Sequence, residues 1–191
     1  MSSPTLIRWG GLAAAVGAAL LLISVVLGSL SFFLPQFGGG VLSFRSVLLV
    51  TASVLVSVGL VALYAHQSEA TGILGLVGFL LAYTSTLLVP AERIGVIGWV
   101  VALTTIGWAV FGIASLRARV YPQAAVVGLI IGGVLLWVAN ISLAARGMVA
   151  TGPLIVVTEV ASVIFDVSIA WLGFSLFRKR SEEVYQPTHA S

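Results

Sequence analysis

Asp166 sits near the middle of an apolar run over residues 154–177, and Glu159 precedes it by seven residues in the same run. On an α-helix that spacing sets the two carboxylates within about 20° of one another and about 10 Å apart along the axis, with Ser162 on the same stripe. Carboxylates in such a setting relay protons or bind cations. At this separation a proton passes between them only through water or an intervening hydroxyl. A carboxylate at that depth is costly in lipid, so neither residue faces hydrocarbon while ionised.

Depth along the other apolar runs names the candidate partners. Asn140 in the preceding run comes to the level of Glu159, and Arg146 lies just beyond it, within reach of Glu159 if its side chain folds inward. Tyr83, Thr84, Ser85 and Thr86 in a third run, Thr104 and Thr105 in a fourth, and Thr51 and Ser53 in a second add polar groups at similar depth. They gather in the middle and outer half, as the lining of an outward-opening cavity would. Serine and threonine in spanning helices commonly bond their own backbone or a neighbouring helix, so each hydroxyl also has a purely structural reading.

Other chemistries lack their parts. His66 lies at the end of a run and His189 in the tail, which leaves no histidine pair for a haem inside the bilayer. The one lysine, Lys179, falls beyond the last run and offers no site for a retinal Schiff base. There is no cysteine, hence no disulfide framework, thiolate metal site or catalytic thiol. No H-E-x-x-H, paired-aspartate or G-x-S-x-G pattern marks a hydrolase, and the Gly38-Gly39-Gly40 triplet lacks the lysine and strand of a phosphate loop and reads as a flexible loop. The expectation is a chain that is not an enzyme and holds no cofactor.

These residues are embedded in an unusually apolar chain. Of 191 residues, 60% are hydrophobic and 8% charged, and the mean hydropathy is +1.18, whereas a soluble domain carries roughly 25% charged residues. Only helices and closed barrels satisfy their backbone in lipid, and continuous apolar runs exclude the alternation of a barrel. The expected fold is therefore all-α, a polytopic bundle of about six transmembrane helices near residues 10–34, 46–64, 72–89, 94–116, 124–145 and 154–177. Residues 1–180 form a single transmembrane domain and 181–191 a disordered tail. The first run is too long for a signal peptide's apolar region and counts as a span.

An even number of spans puts both termini on one side. That side collects Arg8, Arg117, Arg119, Arg178, Lys179 and Arg180, against Arg45, Arg93 and Arg146 opposite, so both termini are expected in the cytoplasm of a cell-membrane protein. Basic residues scattered at run ends fit topology and not nucleic acid binding. The stretch Gly59-Leu-Val-Ala-Leu-Tyr-Ala-His66 matches Gly112-Ile-Ala-Ser-Leu-Arg-Ala-Arg119, the pattern of parallel helix-hairpin repeats. Gly128 and Gly132, and Gly10 with Ala14, carry the small-residue spacing of close helix contacts, here expected within the chain before any homo-oligomer.

Through Arg8-Trp-Gly-Gly-Leu12 and the segment Gly112-Ile-Ala-Ser-Leu-Arg-Ala-Arg-Val-Tyr-Pro122, the chain resembles a diffuse group of uncharacterised bacterial multi-span membrane proteins. The resemblance implies the helical membrane fold and carries no activity or site residues with it. Two function classes follow. The first is a non-catalytic subunit or assembly partner of a larger membrane complex, with the bilayer and a partner subunit or second copy as its partners. The alternative is a small transporter or channel that moves a proton, cation or small solute past Asp166 and Glu159. The first is preferred on sequence, since a chain this poor in ionisable groups has few parts for ion coupling. The arginine and lysine asymmetry makes one direct prediction: a reporter fused after Ser191 is active only in its cytoplasmic version, and extracytoplasmic activity there inverts the assignment.

Overall fold

The computed structural model describes the backbone of residues 4–33, 38–88, 97–145 and 152–185, and side chains over 5–30, 43–88, 103–142 and 153–178. The described chain is all-α, with α1 (Pro4–Phe33), α2 (Gly38–Leu88), α3 (Ile97–Ala118), α4 (Gln123–Ala145) and α5 (Gly152–Tyr185). Five helices replace the six expected from the apolar runs. The second and third runs both lie in α2, because the polar residues His66 to Thr71 continue the helix instead of forming a loop. The Gly38–Gly40 triplet, expected as a loop, opens α2, and α5 continues to Tyr185, past the expected start of the tail at Ser181.

A straight helix of 51 residues would measure about 76 Å, more than twice the hydrocarbon thickness of a bilayer. α2 is not straight. Gly72 has φ 56° and ψ −147°, a region that side chains beyond glycine enter only under strain. The chain reverses there. Tyr64 and Phe79, fifteen residues apart, stack with ring centroids 4.5 Å from each other, and Tyr83 and Leu87 lie beside Ser57 and Val61. α2 is thus a helical hairpin whose two arms pack side by side.

The helices form a closed ring in chain order, each packed on the next, with α5 returning to α1. Small residues set the distances. A Cβ on Gly11 would lie 2.8 Å from the Gly173 carbonyl, one on Gly17 2.9 Å from Val56, and one on Gly132 2.7 Å from the Phe165 backbone. The glycine spacings legible in the sequence serve contacts within this chain. Gly59 meets Ala14 of the preceding α1, whereas Gly112 meets Ile130 of the following α4, so the two matched stretches do not make equivalent contacts.

One half of the ring interior is filled. Leu60, Leu63, Trp108, Phe111, Leu129, Ile169, Leu172 and Leu176 are fully buried there, and Trp108 sits edge-on to both Phe111 and Phe165. This is the end that holds Arg8 and Phe177, with the Arg8 guanidinium 5.0 Å above the Phe177 ring, and we call it the proximal end. Polar ties also gather here. The Tyr121 hydroxyl donates to the Leu63 carbonyl at 2.7 Å, and burial holds its phenol above the usual range, so it remains a neutral donor. Ser115 Oγ is 2.8 Å from the Phe111 carbonyl and 2.7 Å from the buried Gln67 amide. Gln67 Oε1 is the amide atom next to Ser115, and its Nε2 is buried without a partner among the described residues.

Outward-facing positions are apolar. On α5 they read Val156, Val160, Val163, Val167, Trp171 and Phe174, at helical spacing and all more than two-fifths exposed. Four segments, Thr5–Leu30, Ser43–Leu88, Gln123–Ser142 and Pro153–Arg178, are long and apolar enough to cross a membrane. The hairpin turn supplies a test that is free of packing effects, since nothing lies within 4 Å of a Cβ placed on Gly72. Gly72→Ala lowers stability in detergent by about 1–3 kcal/mol through backbone strain alone. Ile73→Ala, at an exposed neighbour, has little effect. Unfolding monitored by helix content measures both, and equal stabilities would place the reversal elsewhere.

Candidate functional site

The distal half of the ring is not filled. All five helices line a cavity of about 260 Å³ there, with Leu21 and Ser24 from α1, Arg45 and Leu49 from α2 and Thr104 and Thr105 from α3. α4 contributes Leu136 and Asn140, and α5 contributes Thr158, Ser162, Phe165 and Asp166. Helix register gives the vertical order. Phe165 packs on Gly132 and Gly133, and Gly133 lies beside the Thr105 carbonyl, so these residues share one level. Trp108 is one turn nearer the proximal end, where its Nε1 donates to Thr86 at 3.3 Å. Asp166 therefore stands at the floor of the cavity, above the aromatic plug.

Asp166 is 5% exposed, and among the described residues no hydrogen bond or ion pair reaches its carboxylate. The neighbouring polar groups spend their donors on their own helices. Ser162 Oγ donates to the Thr158 carbonyl at 2.9 Å, Thr158 Oγ1 to Leu154 at 2.9 Å, and Asn140 Nδ2 to Leu136 at 2.8 Å. What these residues still offer the cavity is the lone pairs of two hydroxyl oxygens, and from Asn140 its amide oxygen and the second N–H of Nδ2. With the Asp166 carboxylate, this side of the cavity suits a ligand that donates hydrogen bonds or carries positive charge.

The opposite charge is also present. Arg45 Nε donates to the Ser24 carbonyl at 3.1 Å, and its guanidinium carbon lies 3.0 Å from where a Cβ of Gly28 would stand. The arginine is folded along α1 into the cavity. On the sequence it counted only as a topological charge, because the span was begun at residue 46. In the structure α2 starts at Gly38, so Arg45 lies two turns inside the helix, and that apolar extension upstream was the signal available.

No family model, curated protein or solved structure matches this chain. The site stands on its own geometry.

Of the residues singled out from the sequence, the structure brings Asp166, Ser162, Asn140 and Thr104 to this one cavity. Glu159 is half-buried and is not part of the lining, and its place on the cavity face belongs to Thr158. Tyr83 lies elsewhere, against Phe79 and in a crevice between α1 and the arms of α2. Arg146 falls outside the described residues, and so does the pair it was expected to form with Glu159. Groups of three or more metal-ligating side chains are absent among the described residues.

Proposed function

We propose that this chain is a six-pass membrane protein with both termini in the cytoplasm, and that it binds a small solute in the distal cavity and carries it across the bilayer. The six passes are α1, the two arms of α2, α3, α4 and α5, whose outer faces suit hydrocarbon. The observation that carries the solute-binding reading is Asp166, an unpartnered buried carboxylate on the floor of a cavity lined by every helix. A carboxylate without protein partners is expensive in a dry site. In a cavity of about 260 Å³, where each water occupies roughly 30 Å³, water held by the carboxylate and the hydroxyls of Thr158 and Ser162 solvates it until a ligand replaces that water.

A carrier open to one side accounts for the arrangement better than an open channel, because Trp108 and Phe111 occupy the interior beyond Asp166. An assembly subunit, the preference on sequence alone, accounts for it less well. Such a subunit calls for a dry carboxylate tied into its neighbours by hydrogen bonds. No covalent step is part of the proposal.

Uptake by proteoliposomes, across a panel of small amines, amino acids and inorganic cations, tests the reading. Asp166→Asn reduces uptake at least 10-fold, the loss of one charge-assisted contact being worth about 1.5–3 kcal/mol. Its unfolding free energy stays within about 1 kcal/mol of the natural chain, because the substitution removes no protein hydrogen bond. Glu159→Gln, off the cavity, leaves uptake intact. Absence of uptake for the whole panel, together with a stoichiometric membrane partner that is lost on Asp166→Asn, establishes the assembly reading instead.

A further inference from the structure

The cavity contains one cation and one anion that do not pair with each other. Arg45 is anchored on Ser24 of α1, Asp166 is on α5, and no ion pair joins them among the described residues. Their separation follows from the contact between Gly11 and Gly173, which fixes the register of α1 against the antiparallel α5. From that level Ser24 is thirteen residues toward the distal end, Gly28 seventeen and Asp166 seven, so the guanidinium, bonded to Ser24 and lying against Gly28, stands about 9–15 Å above Asp166 along the bundle.

This placement restricts what the cavity accepts. A simple cation drawn to Asp166 is opposed by Arg45 in the same enclosure, and a simple anion drawn to Arg45 is opposed by Asp166. A molecule carrying both charges satisfies both groups. Two charge-assisted contacts of about 2.8 Å each leave roughly 3–9 Å between the ligand's own charged atoms. That is the range spanned by small amino acids with their charges at either end. A guanidinium fork suits a carboxylate, and Asp166 with the Ser162 hydroxyl one turn above it suits an ammonium group with its three donors. Leu21, Leu49 and Leu136 would cover the small body between them.

Resting on the solute-binding reading above, we infer that the cavity recognises a small zwitterion, its ammonium group toward Asp166 and its carboxylate toward Arg45.

The test uses the purified full chain in mild detergent and a ladder of glycine, β-alanine, 4-aminobutyrate and 6-aminohexanoate, with propylamine and propionate as single-charge controls. Calorimetric titration or thermal shift reads binding. The best-fitting member of the ladder binds at least 10-fold more tightly than both controls, and the preference disappears in Arg45→Gln and in Asp166→Asn. Arg45→Lys, which keeps the charge and loses the fork, retains part of it and guards against a folding defect in the glutamine variant. Propylamine binding as tightly as every member of the ladder, through Asp166 and unaffected at Arg45, overturns the zwitterion and leaves the solute-binding cavity standing. Binding or uptake of no compound in either panel, with the natural chain folded and monodisperse, overturns both.

Discussion

Closure of the ring depends on the approach of α1 to α5 at Gly11 and Gly173. These are the first and last helices of the chain, so no loop holds them together, and only the absence of side chains lets their backbones come so near. Between apolar helices in a bilayer there is little hydrophobic force, and association rests on close packing and hydrogen bonds. Every glycine or alanine contact around the ring contributes in that way: α1 on α2 through Gly17, α2 on α3 through Gly78 and Gly107, α4 on α5 through Gly132. The contact at Gly11 turns a row of helices into an enclosure.

The enclosure is filled unequally. Toward the proximal end, large side chains from α2, α3, α4 and α5 meet across the interior, with Trp108 edge-on to both Phe111 and Phe165 at the boundary. Toward the distal end the corresponding positions carry Ser24, Thr104, Thr105, Asn140 and Ser162, which are smaller and polar. A cavity results, and on its α4 and α5 walls Asn140, Thr158 and Ser162 are bonded to their own helices. Asp166 lies at the boundary between the two halves, the position from which a bound solute would have to displace the aromatic plug in order to pass.

Much of this was legible in the sequence, and the failures have physical causes. Apolar runs longer than a bilayer give the helices, and counting depth along antiparallel runs brought Asp166, Asn140, Ser162 and Thr104 to the middle and outer half of the bundle. The same spacing misled at Glu159. Seven residues fix the angle between two side chains, but not the direction in which their stripe faces. The cavity is centred near Thr158, Ser162 and Phe165, about 95° around α5 from Glu159 and about 75° from Asp166. Arg45 escaped because a run of three glycines reads as loop, whereas α2 is helical from Gly38. The hairpin in α2 escaped for the converse reason: a polar stretch reads as a loop, and a single glycine at φ 56° is enough to turn the chain.

The central claim is that the distal half of the bundle encloses water in contact with Asp166. Because the chain contains no cysteine, single cysteines report water access without background, since only a hydrated thiol ionises and reacts. In sealed vesicles of known orientation, a membrane-impermeant thiol reagent added to the extracytoplasmic face should label Ser162→Cys rapidly. Val163→Cys, on the outer face of the same helix turn, and Leu172→Cys, below the plug, should stay unlabelled. Labelling of Ser162→Cys only after detergent is added, at the rate of Leu172→Cys, would contradict the account.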